Sequence, residues 1–532
     1  MNDRPFPWAG LFVLVFGAFM AILDGSIVNV ALPRLMSIFG VTPDDIQWVM
    51  TAYLLTSGVV VPVTGYLGDR FGYKRVYIYA LIAFTLGSAL CGIAWNNDSL
   101  VAFRVVQALG GGMLIPLSMS IIFRMVPRQK MGMAMGMWGI AATMAPAVGP
   151  TLGGYLVDHY SWHLIFTINI PVGIIAVILS YAMIDETPLI KGLKFDVLGS
   201  ILSSAGLFSL LLALSQGQKE GWTSQYIVTL FTLAGFFLLL FCLWELQVPY
   251  PMLDIKLFKN PVFSASIAAT SFLTIAMFAA IFLVPLYCQS LQGLTPMQTG
   301  LLIMPMALVT GFMMPISGRL FDKIGALPLG LVGIAIAGFF TYMLSFITLE
   351  TSYRSLQILL VLRAVGLGLG MMPISTAGMN TIPPLLVGQA SAINNLVRQI
   401  SASLGIAYMT YVMLNRQVYH AAWLADGVNW TSPAAVETYH RLNSLANTFT
   451  GPGNGDAAAL GYMNMVVQKQ AMVMGIADAL LVSALIAFLT IPLILPLSRK
   501  KVEEARQKEK ARYAHLMNQG SKGGGPAPDA SL

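Results

Sequence analysis

The chain has 532 residues, of which 57% are hydrophobic and only 10% are charged, and its formal net charge is +7. An ordinary soluble domain carries about 25% charged residues, and no soluble core could bury this much apolar surface, so the composition excludes a water-soluble fold. The basic residues lie scattered between apolar runs and form no patch with interleaved aromatic residues, so no nucleic acid partner is predicted. The three cysteines form no CxxC pair, so we predict neither a disulfide framework nor a zinc site, and no cofactor.

Fourteen apolar segments are each long enough to cross a bilayer, which takes about 20 residues of helix. The first segment continues to Leu32 without a small-residue cleavage site, so we interpret it as a span rather than a removable signal. The seventh and eighth segments are joined by a short link, which leaves a re-entrant pair as an alternative. The predicted spans are 10–32, 47–67, 77–95, 101–123, 133–156, 164–184, 197–215, 226–245, 262–288, 297–318, 327–348, 355–375, 389–413 and 471–497.

The distribution of Lys and Arg predicts the orientation of these spans. If both termini are cytoplasmic, twenty-one of the 30 basic residues fall in cytoplasmic segments and six fall outside. The other three, Arg104, Arg363 and Arg398, lie within spans. The asymmetry favours an even number of spans with both ends inside.

The chain also repeats itself. Residues 65–72 and 318–325 share the pattern G-x-L-x-D-(basic)-x-G, and each copy closes the second span of a group of six. Parallel halves of this kind are an architecture of membrane transporters. We therefore predict an N-terminal six-helix half at 1–190, a two-helix insertion at 191–260, a C-terminal six-helix half at 261–498 and a cytoplasmic tail at 499–532. The polar segment 414–470 is predicted to form an extracytoplasmic cap or docking surface.

Residues 65–75, GYLGDRFGYKR, resemble the loop motif between the second and third helices of the major facilitator superfamily. In this motif the acid can cap or pair at a helix end, while the basic side chains hold the neighbouring helix through charge-assisted bonds. The alternative is a loop whose basic residues only set the orientation. The candidate gate residues are Gly65, Asp69, Arg70, Gly72, Lys74, Arg75 and, in the second copy, Asp322.

Residues 145–154, APAVGPTLGG, are similar to the antiporter motif of the same superfamily. The prolines remove backbone donors, and the glycines allow another backbone to pack closely. A kinked packing helix with no role in export is the alternative. The candidate residues are Pro146, Gly149, Pro150, Gly153 and Gly154.

Three further segments carry the closest match: LDGSIVNVALP at 23–33, WHLIFTINIPVG at 162–173 and RQISASLG at 398–405. They resemble the fourteen-span drug/proton antiporter family of the EmrB and QacA type. The resemblance implies an all-α integral membrane protein with the major facilitator fold, in a bacterial inner membrane. It implies proton-coupled export of lipophilic drugs or other toxic organic compounds. Where the host has two membranes, it also implies a periplasmic membrane-fusion protein and an outer-membrane channel as partners.

Charged side chains inside spans are costly, so they indicate function. We predict that Asp24 carries the coupling proton with Arg104 as its electrostatic partner. Bracing of helices by an Asp24 pair with Arg104 or Arg398 is the alternative. Further polar residues within spans are candidates for substrate binding or coupling: Asn29, Gln107, Asn395, Arg398 and Asp478.

Other functions lack their sequence signals. The chain contains no HExxH, GxSxG or GxxxxGK[ST] motif, so a membrane-embedded protease, hydrolase or P-loop pump is disfavoured. No segment resembles a channel filter. An exporter of a narrower natural substrate, such as a fatty acid, a bile-salt-like or a siderophore-like molecule, stays open.

Overall fold

The structure is a computed structural model that describes residues 8–187, 189, 193–249, 251–429, 431–450 and 455–522. All regular secondary structure in these ranges is helical. The first half contains six membrane-spanning units, of which the sixth is a short helix followed by a longer one. Its helices are α1 (Trp8–Phe39), α2 (Pro43–Phe71), α3 (Tyr73–Cys91), α4 (Asn97–Met125), α5 (Met131–His159), α6 (Leu164–Thr167) and α7 (Asn169–Met183).

Two helices follow as a pair packed against each other, and the first of them also packs against α2. A second set of helices then repeats the arrangement of the first, and a polar helix ends the described chain. These helices are α8 (Val197–Glu220), α9 (Gln225–Glu245), α10 (Pro261–Ser290), α11 (Pro296–Ile324), α12 (Ala326–Leu344), α13 (Tyr353–Met379), α14 (Val387–Gly427), α15 (Pro433–Thr450), α16 (Gly455–Ile494) and α17 (Arg499–Lys522).

Thirteen helical segments of the described chain are long and apolar enough to cross a membrane. They include both α8 and α9, which are separate full-length helices rather than a re-entrant pair. The predicted span 389–413 is not among the thirteen, because its helix α14 carries many polar side chains. By packing, α14 occupies a place in the bundle like the spans around it, since it contacts α2, α4, α8, α10 and α16.

The polar segment 414–470 is largely helical. Its first part continues α14, its middle forms α15, and its last part begins α16, against which α15 packs. At about 1.5 Å per residue, α14 and α16 are each roughly 60 Å long, twice the thickness of a bilayer core. Both helices therefore extend far beyond the apolar layer on one side.

The repeated sequence pattern sets matching ends for the second helix of each half. Thr42 and Thr295 each form a capping box with the residue three positions on, and a proline follows each threonine. Gly72 and Gly325 end the two helices with φ of 93° and 85°, where a side chain would be strained. The same local chemistry thus starts and stops α2 and α11.

The two halves meet closely at the end of the bundle that bears the loops after α2, α4, α11 and α13, which we call the basic end. A Cβ on Gly318 of α11 would lie 2.0 Å from the carbonyl oxygen of Gly132 on α5. A Cβ on Gly65 of α2 would lie 3.1 Å from the backbone of Gly388 on α14. Arg128 donates to the Asn380 carbonyl oxygen across the halves at 2.9 Å. The basic end is therefore closed by direct backbone contact.

Candidate functional site

Asp24 lies at the centre of a buried polar cluster inside the first half. Its side chain and that of Arg104 have no solvent exposure, and Arg104 Nη1 lies 2.5 Å from Asp24 Oδ2. The other carboxylate oxygen, Oδ1, accepts from Gln107 Nε2 and from Asn169 Nδ2, each at 2.8 Å. Helices α1, α4 and α7 thus converge on one carboxylate, as the predicted Asp24–Arg104 pairing requires.

Arg104 is held by several groups besides Asp24. Its Nε donates to the Val49 carbonyl oxygen at 3.2 Å, and its Nη1 also donates to Gln107 Oε1 at 2.6 Å. The guanidinium lies 4.0 Å from the centre of the Tyr53 ring. The ion pair is therefore part of a network, which offsets the cost of taking two charges out of water. Arg104 Nη2 is buried and makes no hydrogen bond to the described residues.

Sequence reasoning missed two members of this cluster, Asn169 and Ser88. Ser88 Oγ accepts from Gln107 Nε2 at 2.7 Å and so fixes the amide that contacts Asp24. Asn169 is an isolated amide in an otherwise apolar run within the segment 162–173. That isolation was a usable signal, because a lone amide in a span needs a polar partner.

The second half repeats this arrangement without its acid. Arg363 lies on α13, the fourth helix of its half, as Arg104 lies on α4. It donates from Nε to Thr341 Oγ1 at 2.9 Å and from Nη2 to the Ala276 carbonyl oxygen at 3.2 Å. The Ser483 hydroxyl donates to the same carbonyl oxygen at 3.0 Å. The first helix of this half therefore offers a backbone carbonyl where α1 offers the carboxylate of Asp24.

The remaining polar candidates lie outside the Asp24 cluster. Arg398 Nη2 donates to Asn395 Oδ1 at 2.9 Å, and the Asn395 amide donates to the Ser391 carbonyl oxygen. The Arg398 guanidinium lies 5.7 Å from the centre of the Trp138 ring on α5, in the other half. Asn29 is exposed and donates to the carbonyl oxygen of Gly25. Asp24 therefore pairs with Arg104 and not with Arg398.

Asp478 joins the two longest helices of the second half. Its Oδ2 accepts from Arg416 Nε at 2.5 Å and lies 2.8 Å from His420 Nε2. Both partners are on α14, near the end opposite the basic end, and Asp478 is on α16. The structure places this acid in a brace between α14 and α16, whereas its predicted part in transport stays a prediction.

The polar side chains of the loop motif at 65–75 make their hydrogen bonds and ion pairs within the first half. Asp69 Oδ1 accepts from Arg124 Nη2 at 2.8 Å and from the Tyr73 hydroxyl at 3.0 Å. Arg75 pairs with Glu186 at 3.3 Å beyond the end of α7.

The other two basic residues of this motif differ from each other in their contacts. Lys74 lies 5.2 Å from the centre of the Tyr181 ring on α7. Arg70 is exposed and has no ion pair with a described residue. The expectation that all three basic residues hold the neighbouring helix therefore fits Lys74 and Arg75 but not Arg70, because Arg124 supplies the partner of Asp69 instead.

The second copy of the motif acts across the two halves. Asp322 on α11 accepts backbone N–H bonds from Gly132 at 3.0 Å and from Met133 at 3.3 Å, at the start of α5. A carboxylate at the N-terminus of a helix satisfies free N–H groups and the helix dipole together. Asp322 therefore stabilises the closed basic end directly.

We expect Asp322→Asn to open the basic end more often, because asparagine loses one of the two acceptor oxygens and the negative charge at the N-terminus of α5, a charge worth about 1 kcal/mol, or about fivefold in a population. Spin labels on Gln129 and Lys323, after replacement of the native cysteines, should show more of the long-distance population. The exposed acid Asp426 provides a matched Asp→Asn control that should leave the distances unchanged. An unchanged distribution in Asp322→Asn would remove this residue from the gate.

The antiporter motif packs α5 against α1. A Cβ on Gly149 would lie 2.0 Å from Ser26 Oγ, and one on Gly153 would lie 2.9 Å from the Ile27 carbonyl oxygen. The Ser26 hydroxyl donates to the Ala145 carbonyl oxygen at 3.2 Å. These glycines pack against the α1 residues two and three positions along from Asp24, so the motif fixes the helix that carries the candidate proton site. Pro146, Pro150 and Gly154 lie in the same helix, which continues through both prolines.

Comparison with known proteins agrees with this architecture. The family model described as Major Facilitator Superfamily matches residues 14–406. The chain is 36% identical to the uncharacterized MFS-type transporter YhcA of Bacillus subtilis, over 96% of each chain. It is 30% identical to the multidrug export protein EmrB of Haemophilus influenzae, over 89% of this chain and 92% of that one.

Among solved structures, the proton:xylose symporter XylE has the same fold, with a TM-score of 0.58 and 12% identity over 94% of this chain and 99% of that one. The chain therefore belongs to the major facilitator superfamily, within its EmrB/QacA-type family of drug transporters.

Proposed function

We propose that the protein is a proton-coupled antiporter that exports lipophilic organic compounds across a bacterial inner membrane, with Asp24 as the proton carrier. The observation that carries the proposal is the fully buried Asp24 carboxylate, which receives hydrogen bonds from Arg104, Gln107 and Asn169. An acid held this way at the meeting point of several helices can link its protonation to their arrangement.

Protonation of Asp24 must rearrange the cluster. The carboxylate of Asp24 accepts three hydrogen bonds here, and a proton on its remaining acceptor site would remove the negative charge that faces Arg104. Neutral Asp24 would also leave the Arg104 guanidinium buried without a counter-charge, at a cost of several kcal/mol. Relief of that cost requires α1 and α4 to shift. The present arrangement therefore corresponds to the deprotonated state, with the basic end closed.

The Asp24 carboxylate has no solvent exposure, so a proton reaches it only when the helices around it move. Open space begins one residue along α1, because a Cβ on Gly25 would meet no atom within 4 Å. Alternating access would expose this space first to one side of the membrane and then to the other. With both termini cytoplasmic, as the distribution of basic residues favours, the basic end is the inward gate.

The similarity to the multidrug export protein EmrB supports drug export as the activity of this protein. A fusion-protein partner would dock on the extension formed by α15 and the ends of α14 and α16. Large apolar side chains are exposed there, including Trp423 at 62% and Tyr462 at 51%. Such a patch is typical of an interaction site.

Purified protein in liposomes tests the proposal. We expect accumulation of a lipophilic dye against its own gradient only while a proton gradient is imposed, and collapse of that accumulation when an ionophore removes the proton gradient. Flux that does not depend on the gradient would favour a channel or a uniporter. A panel of toxic compounds in an efflux-deficient host then identifies which substrates the protein exports.

A further inference from the structure

The charges in the middle of the bundle do not balance. In the part of the chain that the structure describes, the arginines within the middle of the spans are Arg104, Arg363 and Arg398, and Asp24 is paired with the first of these. Neither Arg363 nor Arg398 has an ion pair with a described carboxylate. Two positive charges therefore lie inside the bundle without a counter-charge.

The other acids of the spans are already engaged elsewhere. Asp69 pairs with Arg124 and Asp322 accepts the N–H groups of α5, both at the basic end. Asp478 pairs with Arg416 near the opposite end. Glu245 lies buried at the basic end of α9. None of these acids therefore neutralises either arginine.

Arg398 differs from Arg363 in its position in the bundle. Arg363 is buried inside the second half, whereas Arg398 is partly exposed and faces Trp138 of the first half. Its position, eleven residues into α14, is about 16 Å from the basic end and hence near the bilayer midplane. Major facilitator substrates bind at this depth between the halves.

We propose that Arg398 binds the acidic group of a lipophilic anion, which makes organic anions the preferred substrate class. This inference rests on the proposed function and deepens it. The aromatic face of Trp138 and the Asn395 carboxamide hold the guanidinium in place, and an entering anion supplies its missing counter-charge. Arg363, buried within the same half, adds to the positive potential, which disfavours a lipophilic cation in the same space.

A matched pair of ions provides the test. Tetraphenylborate and tetraphenylphosphonium have nearly the same size and shape and opposite charges, so their difference in binding reports charge alone. We expect equilibrium dialysis of the detergent-purified protein, against a micelle-only control, to show tetraphenylborate bound at least about tenfold more tightly. That ratio corresponds to one partly desolvated charge pair.

Variants then test whether Arg398 causes the preference for tetraphenylborate over tetraphenylphosphonium. Arg398→Gln should reduce the preference to within about twofold, while Arg398→Lys should keep most of it because the charge is retained. Arg416→Gln, on the same helix but already paired with Asp478, should leave it unchanged. Equal or tighter binding of tetraphenylphosphonium, undetectable binding of tetraphenylborate, or a full preference in Arg398→Gln would each overturn the assignment. Asp24→Asn should keep the preference, so binding and proton coupling can fail separately.

Discussion

Asp24→Asn should abolish proton-driven accumulation of substrate while the protein still folds and reaches the membrane. Asparagine keeps the size of the side chain and can still accept from Arg104, but it cannot take up a proton near neutral pH. One proton moving through about 150 mV yields about 3.5 kcal/mol, which supports a gradient of a few hundred-fold for a neutral substrate. In Asp24→Asn this gradient should fall to unity, and exchange of substrate down its own gradient should remain.

The control for this variant is the same change at an acid outside the cluster. Asp98 is exposed in the first turn of α4, and Asp98→Asn should transport like the wild type. Accumulation should be measured in liposomes with an imposed proton gradient, and exchange with preloaded substrate and no gradient. A wild-type gradient in Asp24→Asn would refute the proton-carrier assignment and direct attention to Asp478.

Gly318→Val should trap the transporter with its basic end open. The added Cβ would lie 2.0 Å from the Gly132 carbonyl oxygen, and backbone on both sides leaves no flexible side chain to move. Overpacking of this kind costs about 3 kcal/mol, which would reduce the closed population about 100-fold. Net transport should fall by a similar factor, because each cycle must pass through the closed state.

A glycine without neighbours supplies the control for this prediction. A Cβ on Gly235 of α9 would meet no atom within 4 Å, so Gly235→Val should transport normally. Spin labels on Gln129 and Lys323 should report a longer distance in Gly318→Val and the wild-type distance in Gly235→Val. A wild-type distance in Gly318→Val would contradict closure through the α5–α11 crossing.

Much of the fold could be predicted from the sequence because the membrane imposes it. Apolar runs of spanning length identify the helices whose composition is uniform, and the repeated G-x-L-x-D motif indicates the two halves. Composition is least informative at α14, the helix of the predicted span 389–413, because it does not by itself qualify this helix as a span. Its polar face, including Asn395 and Arg398, lies inside the bundle against other helices. The mean hydropathy of a segment does not show whether its polar side chains face other helices.

The site could be predicted only in part, for a similar reason. Charge in an apolar run singled out Asp24 and Arg104, but their hydrogen-bond partners come from helices far along the chain. Asn169 meets Asp24 across 145 residues, and no local pattern encodes that meeting. The loop of Asp322 holds fewer basic residues than the loop of Asp69, which by itself predicts a weaker role for Asp322 in the gate. The contacts of Asp322 instead lead us to expect a direct role in closure, because they cross between the halves.

The most direct test of proton antiport is proton movement itself, followed with a pH-sensitive dye trapped in the liposomes. With no initial proton gradient, an outward gradient of substrate should drive protons inward through the wild-type protein, and the lumen should acidify. Asp24→Asn should move substrate in the same assay with no change in lumenal pH. Proton movement in the same direction as the substrate, or equal acidification in Asp24→Asn, would contradict antiport through Asp24.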